Sequence, residues 1–457
     1  MKIFFSGIGG AGVSAIASFM ADKQHEVYGS DRSFDTDQHH PAYAPLKANG
    51  VKIVPQDGSG IDSSFDLVVF STAVETTLPE PKKAASLGLT VKTRPQFLAE
   101  LVASHKTFAI AGTSGKSTTA GMLAYMMREL GLSPNFIGGG RVAQFRSPSN
   151  MGNSAASSSD LLVVEACESD GSIVSYKPEF SVILNLDLDH HSIEKTAAMF
   201  AALARNTAKK TILNGDDAHL SGLALDNAVT FGLVHADDYR AENVELKPLY
   251  SEFTLRGIRF KVNLPGQYNV YNALACLATL GEYGIPLERC VRPLETFTGV
   301  ERRFDVKLNS GTGFVMDDYA HNPHKIASLM QMAQKIREKI TYVYQPHGFA
   351  PTRMMKKEYI QAFAENLRPG DRVLFLPIYY VGGTVAKDIS SEDLAKGVTA
   401  LGGSSKVASR EEILNAAHGG EAYIVCGARD ESLSDFAVAI ARKVKGAAAH
   451  PGAQPNA

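Results

Sequence analysis

Two glycine-rich segments stand where strand-like runs give way to helix-like runs. The first is Gly7-Ile8-Gly9-Gly10-Ala11-Gly12, a G-x-G-x-x-G directly after an apolar run. Glycines let backbone approach a diphosphate, and the following helix supplies aligned N–H groups. Asp31 closes the next strand-like run, after Ser30. The chemistry is that of a dinucleotide such as NAD, or of another diphosphate ligand such as a UDP-sugar. The second segment is Gly112-Thr113-Ser114-Gly115-Lys116-Ser117-Thr118. It reads as a phosphate loop. Backbone N–H groups cradle phosphates, Lys116 neutralises the outer ones and Ser117 reaches Mg²⁺. Two residues separate its first glycine from the Gly-Lys pair, where four are usual.

Acids and imidazoles follow at the ends of later apolar runs. Glu165, Glu168 and Asp170 lie in EACESD, and Asp187, Asp189, His190 and His191 close ILNLDLDHH. Carboxylates at strand ends beside a phosphate loop suit Mg²⁺ held against nucleotide phosphates. The His190-His191 pair leaves zinc as a competing reading, with no cysteine at suitable spacing. Late in the chain come Arg302-Arg303-Phe304, then Asp317-Asp318-Tyr319-Ala320-His321-Asn322-Pro323, then Gln345-Pro346-His347. A strand ending in two acids, a Tyr and a His, stopped by Asn-Pro, sets polar groups at the crevice end of a sheet.

Elements must exist to position these groups. Strand-like runs at residues 2–6, 26–29, 66–71, 107–111, 161–166, 181–186, 313–317, 340–345, 372–377 and 422–426 alternate with helical spacing, as at 12–22, 118–130 and 269–283. That rhythm predicts α/β architecture with parallel sheets flanked by helices. Residues 251–255 and 258–262, joined by Arg256-Gly257, read as an appended antiparallel hairpin. The 457 residues suffice for about three domains at about 150 residues each. We place them at 1–104, 105–296 and 297–457. A formal charge of −2 argues against nucleic-acid binding through a basic surface. No membrane span or signal peptide is read. Four cysteines without a C-x-x-C pair read as reduced thiols of a cytoplasmic protein. The small, Pro- and Gly-containing tail at 446–457 reads as lacking regular structure.

The order of these motifs resembles the Mur ligases, ATP-dependent amino-acid-adding enzymes of peptidoglycan synthesis. The resemblance is carried by GIGGAG, GSD at 29–31, GTSGKST, EACESD, PGQYNVYNALA at 265–275, GVERRF at 299–304, DDYAHNP, and YQPH at 344–347. It implies a Rossmann-like first domain, a central P-loop ATPase domain and a Rossmann-like α/β C-terminal domain that closes the site. It assigns the first motif to a UDP-sugar rather than to NAD, through Gly7, Gly9, Gly10, Gly12, Asp31 and Thr72. ATP, as co-substrate, would meet residues 112–118, with Asn269 and Asn272 near adenine and Arg303 and Asp318 from the last domain. Ser117, Glu165 and His190 would ligate Mg²⁺. Lys116, Glu165, His190 and Arg303 would serve catalysis, and His321 and His347 would face the amine. The implied reaction joins L-alanine to UDP-N-acetylmuramate through an acyl phosphate. The alternatives are recycling of a preformed L-Ala-D-Glu-diaminopimelate peptide, or a P-loop ATPase or binding module without ligase activity. The partners would be these small molecules, with the chain a monomer or weak homodimer.

The chain departs from the family pattern at identifiable points. Ser114 and Ser117 replace His and Thr of the loop, and Cys167 replaces an acid. His190 is followed by His191-Ser192 instead of reaching an acid, and Gln267-Tyr268 replaces a basic–His pair. Gly348 stands where an Arg usually follows Gln-Pro-His, on the side where the amine is expected.

Overall fold

A computed structural model describes residues 1–36, 40–188, 191–223, 225, 227–380 and 385–446. The predicted tail from 447 onward lies outside the described residues, as do Asp189 and His190. Backbone contacts divide the chain into two compact units, 1–300 and 301–457.

The first unit holds two sheets. The smaller has five parallel strands in the order Lys52–Ile53, Glu26–Ser30, Lys2–Ser6, Leu67–Phe70, Val91–Thr93. Its order reverses at Lys2–Ser6, and a crevice opens beyond the strand ends at such a point. Ile3, Phe4 and Phe5 are wholly buried, as a parallel strand covered on both faces requires. The helix Ala11–Asp22 follows and packs Val13, Ile16, Ala17 and Met20 inward.

The larger sheet has ten strands. Lys106–Ala111 lies between Phe180–Ile183 and Leu161–Glu165, parallel to both. The sheet runs on through Lys210–Asn214 and Ala228–Gly232 to Tyr239–Leu246, and ends in the antiparallel hairpin Ser251–Leu255 and Ile258–Val262. The helices Lys116–Glu129 and Gln267–Glu282 are buried along most of their length on this sheet. Phe108 and Phe180 stack between neighbouring strands, with ring centroids 5.1 Å apart. The run predicted to be a strand through 186 leaves the ladder after Ile183. Asn185 turns instead to the phosphate loop, as described below.

The second unit is a six-stranded sheet in the order Asp305–Ser310, Gly313–Asp318, Ala422–Gly427, Ile340–Gln345, Arg372–Phe375, Ser405–Val407. All pairs are parallel except the first. Asp305–Ser310 was not marked by the apolar pattern. It is a half-exposed edge strand, so it carries no continuous apolar run. All four cysteines are free thiols.

Phe180 lies at the centre of the larger sheet. Truncating it removes the stacked ring and leaves a cavity between strands. Phe180→Ala is expected to destabilise the first unit by about 3–5 kcal/mol. Urea denaturation followed by circular dichroism measures it.

Candidate functional site

The glycine turn after Lys2–Ser6 is shaped by its neighbours. Gly7 has φ +79°, and a Cβ there would sit 2.7 Å from the Ser71 Cβ. No other residue type fits without movement. Gly9 N–H donates to Asp31 Oδ2 at 2.9 Å, and Asp31 Oδ1 accepts from Ser33 N at 2.9 Å. Gly10 is the N-cap of the helix Ala11–Asp22 and offers its first N–H groups no side-chain acceptor. Gly12 lies under Arg94, which pairs with Asp170. Thr72 is exposed in the turn after Leu67–Phe70. Beneath this turn Glu80 is buried and accepts from Ser6 Oγ and Ser30 Oγ, tying together the ends of two strands. Burial pushes its carboxyl above the usual range, partly offset by those hydroxyls. Sequence reasoning missed Glu80, because its partners are strand-end serines far away in the chain.

The phosphate loop is braced from the neighbouring strand. Thr113 N–H donates to Asn185 O at 3.1 Å and Ser114 N–H to Asn185 Oδ1 at 2.8 Å. Asn185 Nδ2 donates back to Ser114 O at 3.0 Å. Gly115 adopts φ +87°, and a Cβ there would meet Asn272 Oδ1 at 2.7 Å. Asn272 accepts from Thr119 Oγ1 at 3.1 Å and donates to Asn269 Oδ1 at 3.1 Å. Of the two predicted asparagines, Asn272 thus reaches the loop from the helix Gln267–Glu282, and Asn269 stands behind it, donating to Pro265 O at 2.8 Å. Thr118 sits in the first turn of the loop's helix.

Lys116 is only 9% exposed. It donates to Gly112 O and Thr113 O, and pairs with Glu168 Oε2 at 2.9 Å. Glu168, at 2% exposure, is no solvated loop residue. Its carboxylate lies directly against the Lys116 ammonium. Ser117 Oγ donates to Glu165 Oε2 at 3.0 Å, which also accepts from Gly139 N at 2.8 Å. Among the described residues no three His, Cys, Asp or Glu gather for a metal. The Ser117 hydroxyl and Glu165 carboxylate are hard oxygen donors. They fit Mg²⁺, which takes few protein ligands and completes its shell with water and phosphate. The predicted third ligand, His190, lies outside the described residues.

In the second unit the paired arginines part company. Arg302 is buried, pairs with Asp317 at 3.2 Å and donates to Gly427 O and Asp430 O at 2.6 and 3.0 Å. Arg303 is exposed, its guanidinium 5.0 Å from the Tyr319 ring centre. Asp318 accepts from Phe304 N and Ala320 N, each at 2.8 Å, and so fixes the turn that presents Arg303. His321 and His347 meet edge to face with ring centres 5.5 Å apart. Burial first, then the charges of His321 and Arg429, push the His347 imidazole down to about 4.

The Lys116–Glu168 pair yields a double-mutant cycle. Removing one partner leaves a buried charge unpaired, which costs about 3–5 kcal/mol. Lys116→Ala and Glu168→Ala are each expected to lower the melting temperature. The double variant is expected to lose less than their sum. A second expectation concerns pH. The unfolded His347 binds a proton near pH 6.5, but the folded one does so only near 4. Its contribution to stability is therefore present above 6.5 and lost as pH falls toward 4. His347→Asn is expected to shrink the fall in melting temperature between pH 7 and 4.5.

The chain matches the Mur ligase family, catalytic domain over residues 2–106. It matches the Mur ligase middle domain over 110–280 and the Mur ligase, glutamate ligase domain over 302–429. It is 31% identical to the UDP-N-acetylmuramate–L-alanine ligase of Caldicellulosiruptor saccharolyticus, covering 94% of this chain and 96% of that one. To the enzyme of the same name from Synechococcus sp. it is 32% identical, covering 87% and 85%. The solved UDP-N-acetylmuramate-alanine ligase of Thermotoga maritima superposes with a TM-score of 0.80 at 26% identity, over 98% and 99% of the two chains. A murein peptide ligase of Psychrobacter arcticus shares the fold, with a TM-score of 0.68 at 21% identity over 99% and 100%. With three family domains matched in order over most of its length, the chain belongs to the Mur ligase family of ATP-dependent ligases that form C–N bonds.

Proposed function

We propose that the chain joins L-alanine to the carboxylate of UDP-N-acetylmuramate, with ATP as co-substrate, in cytoplasmic peptidoglycan synthesis. The observation that carries this reading is the braced phosphate loop, with Lys116 and the Ser117–Glu165 oxygen pair converging on it. Relatives named for this reaction, covered over most of their length, support it.

A carboxylate is a poor acceptor for an amine, because oxide is a poor leaving group. Its oxygen attacks the terminal phosphorus of ATP, the bond to the ADP oxygen breaks, and an acyl phosphate forms. The amine nitrogen attacks the carbonyl carbon, loses a proton, and phosphate leaves with the former carboxylate oxygen. Amide, ADP and phosphate result. The protein's part is positioning and charge neutralisation. Loop N–H groups hold the phosphates. Lys116 exchanges Glu168 for a phosphate oxygen and stays charge-paired throughout. Ser117 and Glu165, with His190, would hold Mg²⁺, which supplies further neutralisation of phosphate charge. Asn269 and Asn272 would border adenine. The glycine turn at 7–12, with Asp31 and Thr72, would hold the UDP-sugar. Arg303 and Asp318 would serve the nucleotide, and His321 and His347 the amine. Addition of a preformed peptide is the second reading, favoured by the missing side chain at Gly348.

A phosphate-release assay with ATP and UDP-N-acetylmuramate tests the proposal against L-Ala, Gly, L-Ser and the L-Ala-D-Glu-diaminopimelate tripeptide. Release that needs both the acid and L-alanine is expected. Release with ATP alone would overturn ligation, and tripeptide-only release would favour the second reading. Lys116→Ala combined with Glu168→Gln, which leaves no unpaired buried charge, is expected to abolish turnover and keep UDP-sugar binding. Glu165→Ala is expected to raise the Mg²⁺ concentration needed for half-maximal rate. An unchanged titration would remove Glu165 from the metal site.

A further inference from the structure

Three neighbouring strands of the second unit run out at one edge in fixed register. Asp318 pairs with Cys426, and Gln345 with Gly427. His321 lies three residues past the first pair, His347 two past the second, and Arg429 follows the end of the strand between them. The two histidine rings are in contact there. Arg429 N–H donates to the Tyr319 hydroxyl at 3.3 Å, and Tyr319 in turn packs on His321 with ring centres 5.6 Å apart.

The backbone of Arg429 is left-handed, with φ +65°. That conformation is uncommon outside glycine, and it persists only where the surroundings impose it. Here they do. The buried Arg302 guanidinium grips the carbonyls of Gly427 and Asp430, on either side of Arg429. The Asp430 carboxylate is held by Arg410 at 2.6 Å and by Ser432 N at 3.1 Å. The loop therefore presents one exposed guanidinium, near enough to His347 for its charge to oppose protonation there. Among the described residues no ion pair or side-chain hydrogen bond engages that guanidinium. On the adjoining strand end Gly348 has φ +72° and ψ 135°. That backbone favours glycine and contributes no cation where the family usually carries an arginine.

From this juxtaposition we infer that Arg429 is the carboxylate anchor of the amine substrate and takes over the charge that Gly348 cannot supply. The inference rests on the ligase reading above and deepens it. A guanidinium matches a carboxylate with two parallel N–H donors. In a free amino acid the α-carboxylate lies next to the reacting amine. In a peptide that carboxyl is tied up in an amide and carries no charge. Arg429 thus selects a single amino acid over its amide or over a peptide.

The test compares wild type, Arg429→Gly and Arg429→Lys in phosphate release with ATP, UDP-N-acetylmuramate and either L-alanine or L-alaninamide. Loss of a charge-assisted contact corresponds to about 10- to 100-fold. Wild type is expected to prefer L-alanine by that factor in kcat/KM. Arg429→Gly is expected to bring the ratio near one, with unchanged KM for ATP and for UDP-N-acetylmuramate. Its melting temperature should not fall, because glycine suits φ +65°. Arg429→Lys should recover part of the preference. A preference retained in Arg429→Gly overturns the inference, as does an equal loss with both amines. Turnover with the tripeptide and none with L-alanine overturns it while leaving ligation intact. Absence of amine-dependent release from wild type overturns the ligase reading itself.

Discussion

Parallel strands carry their hydrogen-bond ladders in register to a common carboxyl edge, and the groups suited to hold anions in this protein stand just beyond such edges. The glycine turn at 7–12 follows the strand where the order of the first sheet reverses. The phosphate loop follows Lys106–Ala111, between two parallel neighbours. His321, Arg429 and His347 leave three adjacent strands of the last sheet. At such an edge backbone N–H groups lose their ladder partners, and a helix N-terminus adds its own free donors. The edge is also fixed to within the register of the strands, so side chains two or three residues on arrive in a predictable row.

Charge is handled locally. The chain carries a formal charge of only −2, so positive potential has to come from individual side chains and backbone N–H groups. The two buried cations among the described residues each have a protein anion and carbonyls to hold them. Lys116 leans on Glu168, and Arg302 on Asp317. Buried pairs of this kind add little net stability, but breaking one is expensive because the remaining charge has no solvent. In the phosphate loop the consequence is a lysine held in place by Glu168 and by the carbonyls of Gly112 and Thr113. In the last sheet the consequence is rigidity: Arg302 holds the loop on which Arg429 stands.

The elements and the two glycine cradles were legible because their causes are local. A continuous apolar run makes a buried parallel strand, and a phosphate-binding turn needs glycines at short spacing beside a strand and a helix. The half-exposed strand Asp305–Ser310 escaped notice because an edge strand needs no such run. Asn185 escaped as well, since it sits inside what reads as a strand and acts by leaving it.

By itself the sequence determined the α/β class, both phosphate cradles, the loop lysine and the family likeness. Each depends on residues within a few positions of one another. Only the tertiary structure decided which carboxylate faces Lys116, which of two adjacent arginines is buried, and which cation stands beside His347. Those partners lie far apart in the chain: Glu168 is 52 residues from Lys116, Glu80 is 74 from Ser6, and Asp430 is 128 from Arg302. Burial, pairing and strained backbone arise from packing between such distant segments, and no local spacing encodes them.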